Sequence, residues 1–227
     1  MKSYINVSHF PLGVTPVHIT YRLAGSIPME EKRRIAQRRA EQVAALRHKL
    51  RGQPEWLSTE VYTQEMQRIS GEVESEIERL LHRWDSGPMH LKCPTISSVI
   101  VVSWRFLHDY EEIKLYAVCV MSNHVHVILS APTGSEKVCL SRIMNRHKRY
   151  TACACNLILD TTGQAFWAPN YFDRTIRNGK FFTAMWYVLN NPVKARMVDR
   201  WEDWHGTYVN PAYLSHFVEN EERKLRA

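Results

Sequence analysis

Hydrophobic and polar positions change period several times along the chain, and each change marks an element. In "PVHITYRL", residues 16–23, β-branched and aromatic residues roughly alternate with polar ones behind Pro11, Gly13 and Pro16, which predicts a strand. Residues 29–51 are rich in Ala, Arg, Gln and Glu and poor in apolar positions, which predicts a lightly packed helix ended by "GQPEW". In 59–84, Met66, Ile69, Val73, Ile77, Leu80, Leu81 and Trp84 recur at spacings of three and four, so a second helix is predicted, with Thr59 as its N-cap. "TISSVIVVSWRFLH", residues 95–108, is apolar and ambiguous between helix and strand, and its length and position favour a helix on a sheet.

Residues 113–120 and 124–131 read as two strands around the turn "MSN", a hairpin. A helix follows from near Ser135 to 159. "GQAFWAPNYFDRTIR" reads as a short strand with a loop, and "GKFFTAMWYVLNN" as a helix stopping at Pro192. The order of elements predicts an α+β fold, an antiparallel sheet with helices on one face.

Composition narrows the function classes. At 227 residues and 44% hydrophobic, the chain is expected to form one domain, with a Trp-rich tail at about 199–227. No apolar run reaches membrane-spanning length, and the first twenty residues lack the apolar stretch of a signal peptide, so a cytoplasmic, nucleoid-associated protein is expected. Five cysteines without a CxxC argue against a disulfide framework or a cysteine-built zinc site. The net charge of +7 favours a polyanionic partner, usually nucleic acid. Basic residues cluster in 31–51, which reads as a solvated helix face, and in "SRIMNRHKRY", where Arg142, Arg146, His147, Lys148 and Arg149 are placed to hold a DNA backbone. Trp167, Tyr171 and Phe172 can stack on unpaired bases, with core packing the favoured role.

The chemistry centres on "VMSNHVHVILS". On a strand, His124 and His126 project to one face, their rings starting about 6–7 Å apart, within reach of one cation. The spacing alone also suits two polar strand residues. Tyr187 and Asn191, four apart in "WYVLNNP", share a helix face. A Tyr hydroxyl can attack phosphorus and an Asn oxygen can ligate a hard divalent ion, while a core or interface Tyr is the plainer role. Asn191 precedes Pro192 and must therefore lie at a helix end or at the start of the next helix.

The blocks "VMSNHVHVIL", "HKRYTACACN", "GQAFWAPNYFDRTIRN" and "YVLNNPVKARMV", in this order and spacing, resemble the REP-associated tyrosine transposases. These are single-tyrosine HUH endonucleases, named for the His–hydrophobic–His pair. The resemblance covers about residues 14–27 and 95–205, with 29–92 as a helical insertion. It implies a ferredoxin-like sheet, metal ligands at His124, His126 and Asn191, and Tyr187 as the nucleophile. It also implies Mg²⁺ or Mn²⁺ as cofactor, a monomer rather than a dimer, and single-stranded DNA with an imperfect REP-like hairpin as partner. Arg174, Lys194 and Arg196 join Arg142, Arg146, Lys148 and Arg149 as expected DNA contacts. The chain departs from the family pattern at Ser122, where relatives commonly have proline, and at Arg196, where many have glycine. Arg196 is either an added phosphate contact or the mark of a copy with weakened activity. Two other readings compete: a non-cutting nucleic-acid-binding module, and a zinc hydrolase built on His124, His126 and Cys119.

Overall fold

The computed structural model describes residues 11–82, 87–134 and 138–218, apart from the side chains of 56–58. Trp84, Ser135 and the tail beyond 218 lie outside the described residues. The chain divides into two compact units, one over Gly25–Gly87 and the other made of the chain on either side of it.

The larger unit holds a five-stranded antiparallel sheet in the order β4-β1-β3-β2-β5. Its strands are β1 (Val17–Leu23), β2 (Lys114–Val120), β3 (His124–Ser130), β4 (Trp167–Thr175) and β5 (Thr207–Val209). Its helices are α3 (Pro94–Asp109), α4 (Leu140–Ile158), α5 (Phe181–Leu189) and α6 (Asn191–Lys194). Read as β1-α3-β2-β3-α4-β4, this is the ferredoxin-like order, with β5 added beside β2. The α+β antiparallel architecture expected from the sequence is the one observed.

The alternation of side chains explains both faces. Ile19, Tyr21 and Leu23 of β1, with Val125, Val127 and Leu129 of β3, pack against Ile96, Ile100 and Trp104 of α3 and Ile143 and Met144 of α4. The opposite face carries Ala117, Cys119 and Ile128, covered by Met185, Val188 and Leu189 of α5 and by Trp201 and Trp204 of the tail. Helices α3 and α4 thus share one face, as expected, and α5 is set on the other because its own apolar stripe needs cover.

The smaller unit is a pair of helices, α1 (Met29–Leu50) and α2 (Glu55–Leu81). Ile35 and Leu46 of α1 and Ile69, Val73 and Ile77 of α2 are buried. Glu76 is buried and paired with Arg34 at 2.7 Å and with Arg38. Residues 29–82 hold ten Lys or Arg and ten Glu, so the unit is close to neutral and the basic excess lies elsewhere. The basic cluster of 31–51 is a largely solvated, partly ion-paired helix surface.

Some boundaries differ from the expectation. Helix α2 begins at Glu55 behind Pro54, and Thr59 is interior, its carbonyl accepting from Thr63 Oγ1 at 2.8 Å. Helix α4 begins at Leu140, because Val138 is taken up by a backbone bridge to Leu12. Strand β4 is a nine-residue edge strand whose pairing with β1 shifts register between Trp167 and Tyr171. Its Pro169 is tolerated there because an edge strand leaves one side without ladder partners. The tail supplies β5, fastened by Trp204 Nε1 donating to the Val120 carbonyl at 2.8 Å and Asn210 Nδ2 donating to the Leu115 carbonyl at 2.9 Å.

Candidate active site

Strand β3 is buried along its whole length between β1 and β2. His126 pairs with Thr20 on one side and Cys119 on the other, and His124 pairs with Arg22. With Val125 and Val127 committed to the α3–α4 core, both imidazoles are driven to the α5 face.

There they converge. His124 Nε2 lies 3.0 Å from His126 Nε2. His124 Nδ1 donates to Asn123 Oδ1 at 2.7 Å, which leaves the Nε2 lone pair pointing at the shared position. Two ligands about 2.1 Å from one ion and at right angles are about 3.0 Å apart, so the spacing fits two neighbouring positions of an octahedral site. Among the described residues there is no group of three or more His, Cys, Asp or Glu able to hold an ion, so a further donor among them is of another type. Asn191 supplies the candidate: it is 1% exposed, and neither side-chain amide atom has a hydrogen-bond partner. A buried amide without partners carries a cost of about 1–3 kcal/mol, which a ligand would offset.

Tyr187 stands on α5, whose Met185, Val188 and Leu189 anchor the helix to the sheet. Its half-buried ring meets His126 edge-on, with centroids 6.1 Å apart. The Lys194 ammonium lies 4.2 Å from the ring centroid. Asn191 opens α6, with Pro192 in its first turn, as the pre-proline constraint requires. The structure therefore brings His124, His126, Tyr187 and Lys194 to one face of the sheet.

Two residues there were not anticipated. His18 Nε2 is 3.1 Å from His126 Nδ1, and Thr20 Oγ1 is 3.2 Å from the same atom. The His18 ring lies 26° from parallel to His126 with centroids 5.2 Å apart and meets Tyr187 edge-on at 5.9 Å. The signal was present in "VHITYRL", whose alternation puts His18, Thr20 and Arg22 on one face. Only the β1–β3 register shows that this face is the histidine face.

The basic residues divide. Arg142 and Arg149 are exposed on α4, while Arg146 is paired with Glu112. Arg174 is exposed on β4, opposite His18 and on the same face. The Lys148 ammonium donates to the carbonyls of Ala168 at 2.6 Å and Pro169 at 3.0 Å, tying α4 to β4. Burial and nearby Arg22 hold it down to about 8.

His147, grouped with the DNA-facing bases in the sequence, is a core residue. Its Nε2 lies 2.7 Å from Tyr21 Oη and its Nδ1 2.9 Å from Ser103 Oγ. Burial, then Lys148, pushes it down to about 3. Trp167 and Tyr171 are buried, in line with the core role favoured for them, whereas Phe172 is half-buried on the histidine face.

Arg196 has φ 55° and follows α6. Its N–H donates to the Val193 carbonyl and the Met197 N–H to the Pro192 carbonyl, both at 2.9 Å. This is a Schellman end, whose left-handed position favours glycine. Cys119 shares the histidine face, but its thiol donates to Met121 Sδ at 3.6 Å, and burial pushes it up to about 12, so nothing about it favours the zinc hydrolase.

Residues 98–191 match the model of the family described as Transposase IS200 like. The matched segment holds His124, His126, Tyr187 and Asn191. No curated protein matches the chain. Among solved structures, the chain is similar to a REP-associated tyrosine transposase bound to a REP hairpin. Identity is 16%, over 90% of this chain and 82% of that one, with a TM-score of 0.48. It is also similar to a candidate transposase from Deinococcus radiodurans. Identity is 14%, over 84% of this chain and 97% of that one, with a TM-score of 0.33.

Proposed function

Taking as premise that residues 98–191 carry the pattern of the IS200-like transposases, we propose that the chain cleaves and rejoins single-stranded DNA through a 5′-phosphotyrosine intermediate. The observation that carries this reading is the meeting of His124 and His126 Nε2 at 3.0 Å beside the ring of Tyr187. The hairpin character of the DNA, REP-like, comes from the resemblance of the sequence blocks.

His124 and His126 would hold a divalent ion by Nε2, with Asn191 as the further protein donor. Mg²⁺ is abundant and Mn²⁺ accepts imidazole more readily, so both are expected to serve. An ion bound there would supply Lewis acidity to the scissile phosphate. Tyr187 then attacks phosphorus in line. The Oη–P bond forms, the bond from phosphorus to the 3′ oxygen breaks, the phenol proton leaves to solvent and the departing oxygen is protonated to a 3′-hydroxyl. The phosphodiester energy stays in the tyrosine ester, so attack by a second 3′-hydroxyl joins a new strand without ATP. Lys194 seats the Tyr187 ring. Arg142, Arg149, Arg174 and Lys194, all exposed, would meet phosphates.

The competing module reading leaned on Arg196, and its place in a Schellman end ties the glycine of relatives to backbone geometry and not to chemistry at the site. The test is incubation of the protein with labelled single-stranded hairpin DNA and Mn²⁺. A denaturation-resistant adduct that is lost in His126→Ala supports the proposal. Binding without an adduct, across a panel of hairpins, favours the non-cutting module.

A further inference from the structure

The far nitrogen of His126 faces other ionisable or hydroxyl side chains: His18 Nε2 at 3.1 Å and Thr20 Oγ1 at 3.2 Å from Nδ1. The proton count along this chain of contacts is constrained. Asn123 Oδ1 only accepts, so His124 carries its proton on Nδ1 and offers a lone pair at Nε2. The 3.0 Å contact between the two Nε2 atoms is then a hydrogen bond only when His126 carries its proton on Nε2. In that state, His126 Nδ1 is an acceptor, and His18 Nε2–H or Thr20 Oγ1–H donates to it.

A cation between the two Nε2 atoms requires the other tautomer. His126 must give up the Nε2 proton and carry one on Nδ1, and that new N–H needs an acceptor. Both neighbours can reverse roles, because an imidazole nitrogen and a hydroxyl each serve as donor or acceptor. Outer partners of this kind fix ligand tautomer and orientation and raise metal affinity by about 10–100-fold.

Resting on the metal-site reading above, we propose that His18, supported by Thr20, is a positioning residue that accepts the Nδ1 proton of His126 and so holds its Nε2 lone pair toward the cation. The His18 and His126 rings meet edge to edge, 26° from parallel, and the contact of His18 with Tyr187 keeps the acceptor in place. The β1–β3 register makes this possible. Thr20 is directly opposite His126, and His18 is two residues along β1, on the same face.

The test is Mn²⁺ titration of the full chain without DNA, followed by electron paramagnetic resonance, for the wild type and the His18→Ala, His18→Gln, Thr20→Val and His126→Ala variants. His18→Ala is expected to weaken Mn²⁺ binding by about 10–100-fold. His18→Gln, whose amide oxygen can accept, is expected to recover most of it. Wild-type affinity in His18→Ala, with binding lost in His126→Ala, overturns this inference and leaves the metal site standing. Wild-type affinity in His126→Ala overturns the metal-site reading itself. A long-range ¹H–¹⁵N spectrum of the wild type with Mg²⁺ decides the matter without any variant. His126 protonated on Nδ1 with His18 Nε2 unprotonated is the expected pattern, and a proton on His18 Nε2 contradicts it.

Discussion

The Lys194 ammonium lies 4.2 Å from the ring centroid of Tyr187, one helical turn beyond Asn191. A cation against an exposed aromatic face contributes about 0.5–1 kcal/mol. If that contact seats the attacking ring, Lys194→Met should slow adduct formation by about 2–5-fold at saturating DNA. Single-turnover rates check this. An unchanged rate with weaker, less salt-dependent DNA binding would make Lys194 a phosphate contact alone.

Arg196 occupies a left-handed position at φ 55°. Removing its Cβ relieves the steric cost of that conformation and gives back part of it as backbone entropy, for a net gain of about 0.5–1 kcal/mol. Arg196→Gly should therefore raise the unfolding midpoint while leaving the cleavage rate and DNA affinity as they are. A fall in affinity with a shallower salt dependence would restore Arg196 to the DNA contacts.

Much of this site was legible in the sequence, and the reasons are geometric. His124 and His126 announce a shared face because strand side chains repeat every two residues. Tyr187 and Asn191 do so because helices repeat every 3.6. Both relations are local. His18 and Thr20 were passed over because their relation to His126 is set by strand pairing across more than a hundred residues, and no local period encodes that register. His147 sits among arginines and a lysine, and its burial follows from which side of α4 meets Tyr21 and Ser103. The three residues of β5 are too few to show an alternation. The meaning of Arg196 depends on a backbone angle.

Lys148 illustrates the same lesson as a test. Its ammonium is spent on two backbone carbonyls at the start of β4. Lys148→Met should cost about 1–3 kcal/mol of stability, through carbonyls left without their charged donor, and leave the salt dependence of DNA binding unchanged. Arg142→Ala combined with Arg149→Ala should do the reverse, lowering the salt slope by about one to two with little effect on unfolding. Denaturant unfolding and binding at several salt concentrations separate the two patterns.

His147 predicts a pH dependence. Its folded pKa is depressed to about 3, below the unfolded value of about 6.5. Between those values the unfolded chain binds a proton that the folded chain does not, so stability rises with pH and falls on acidification below about 6.5. The slope from this one group approaches about 1.4 kcal/mol per pH unit. His147→Gln keeps a partner for Tyr21 and Ser103 and should flatten the dependence between pH 6.5 and 4. Urea unfolding of both proteins across that range measures it.

The proposed reaction leaves a covalent bond between one phenol oxygen and the 5′ side of a cut strand. The most direct measurement is mass spectrometry of the adduct formed with hairpin DNA and Mn²⁺, after nuclease trimming and proteolysis. The expected result is a nucleotide attached to Tyr187 through a 5′ phosphate, and no such peptide from Tyr187→Phe. Attachment at another residue, or an adduct that persists in Tyr187→Phe, would contradict it.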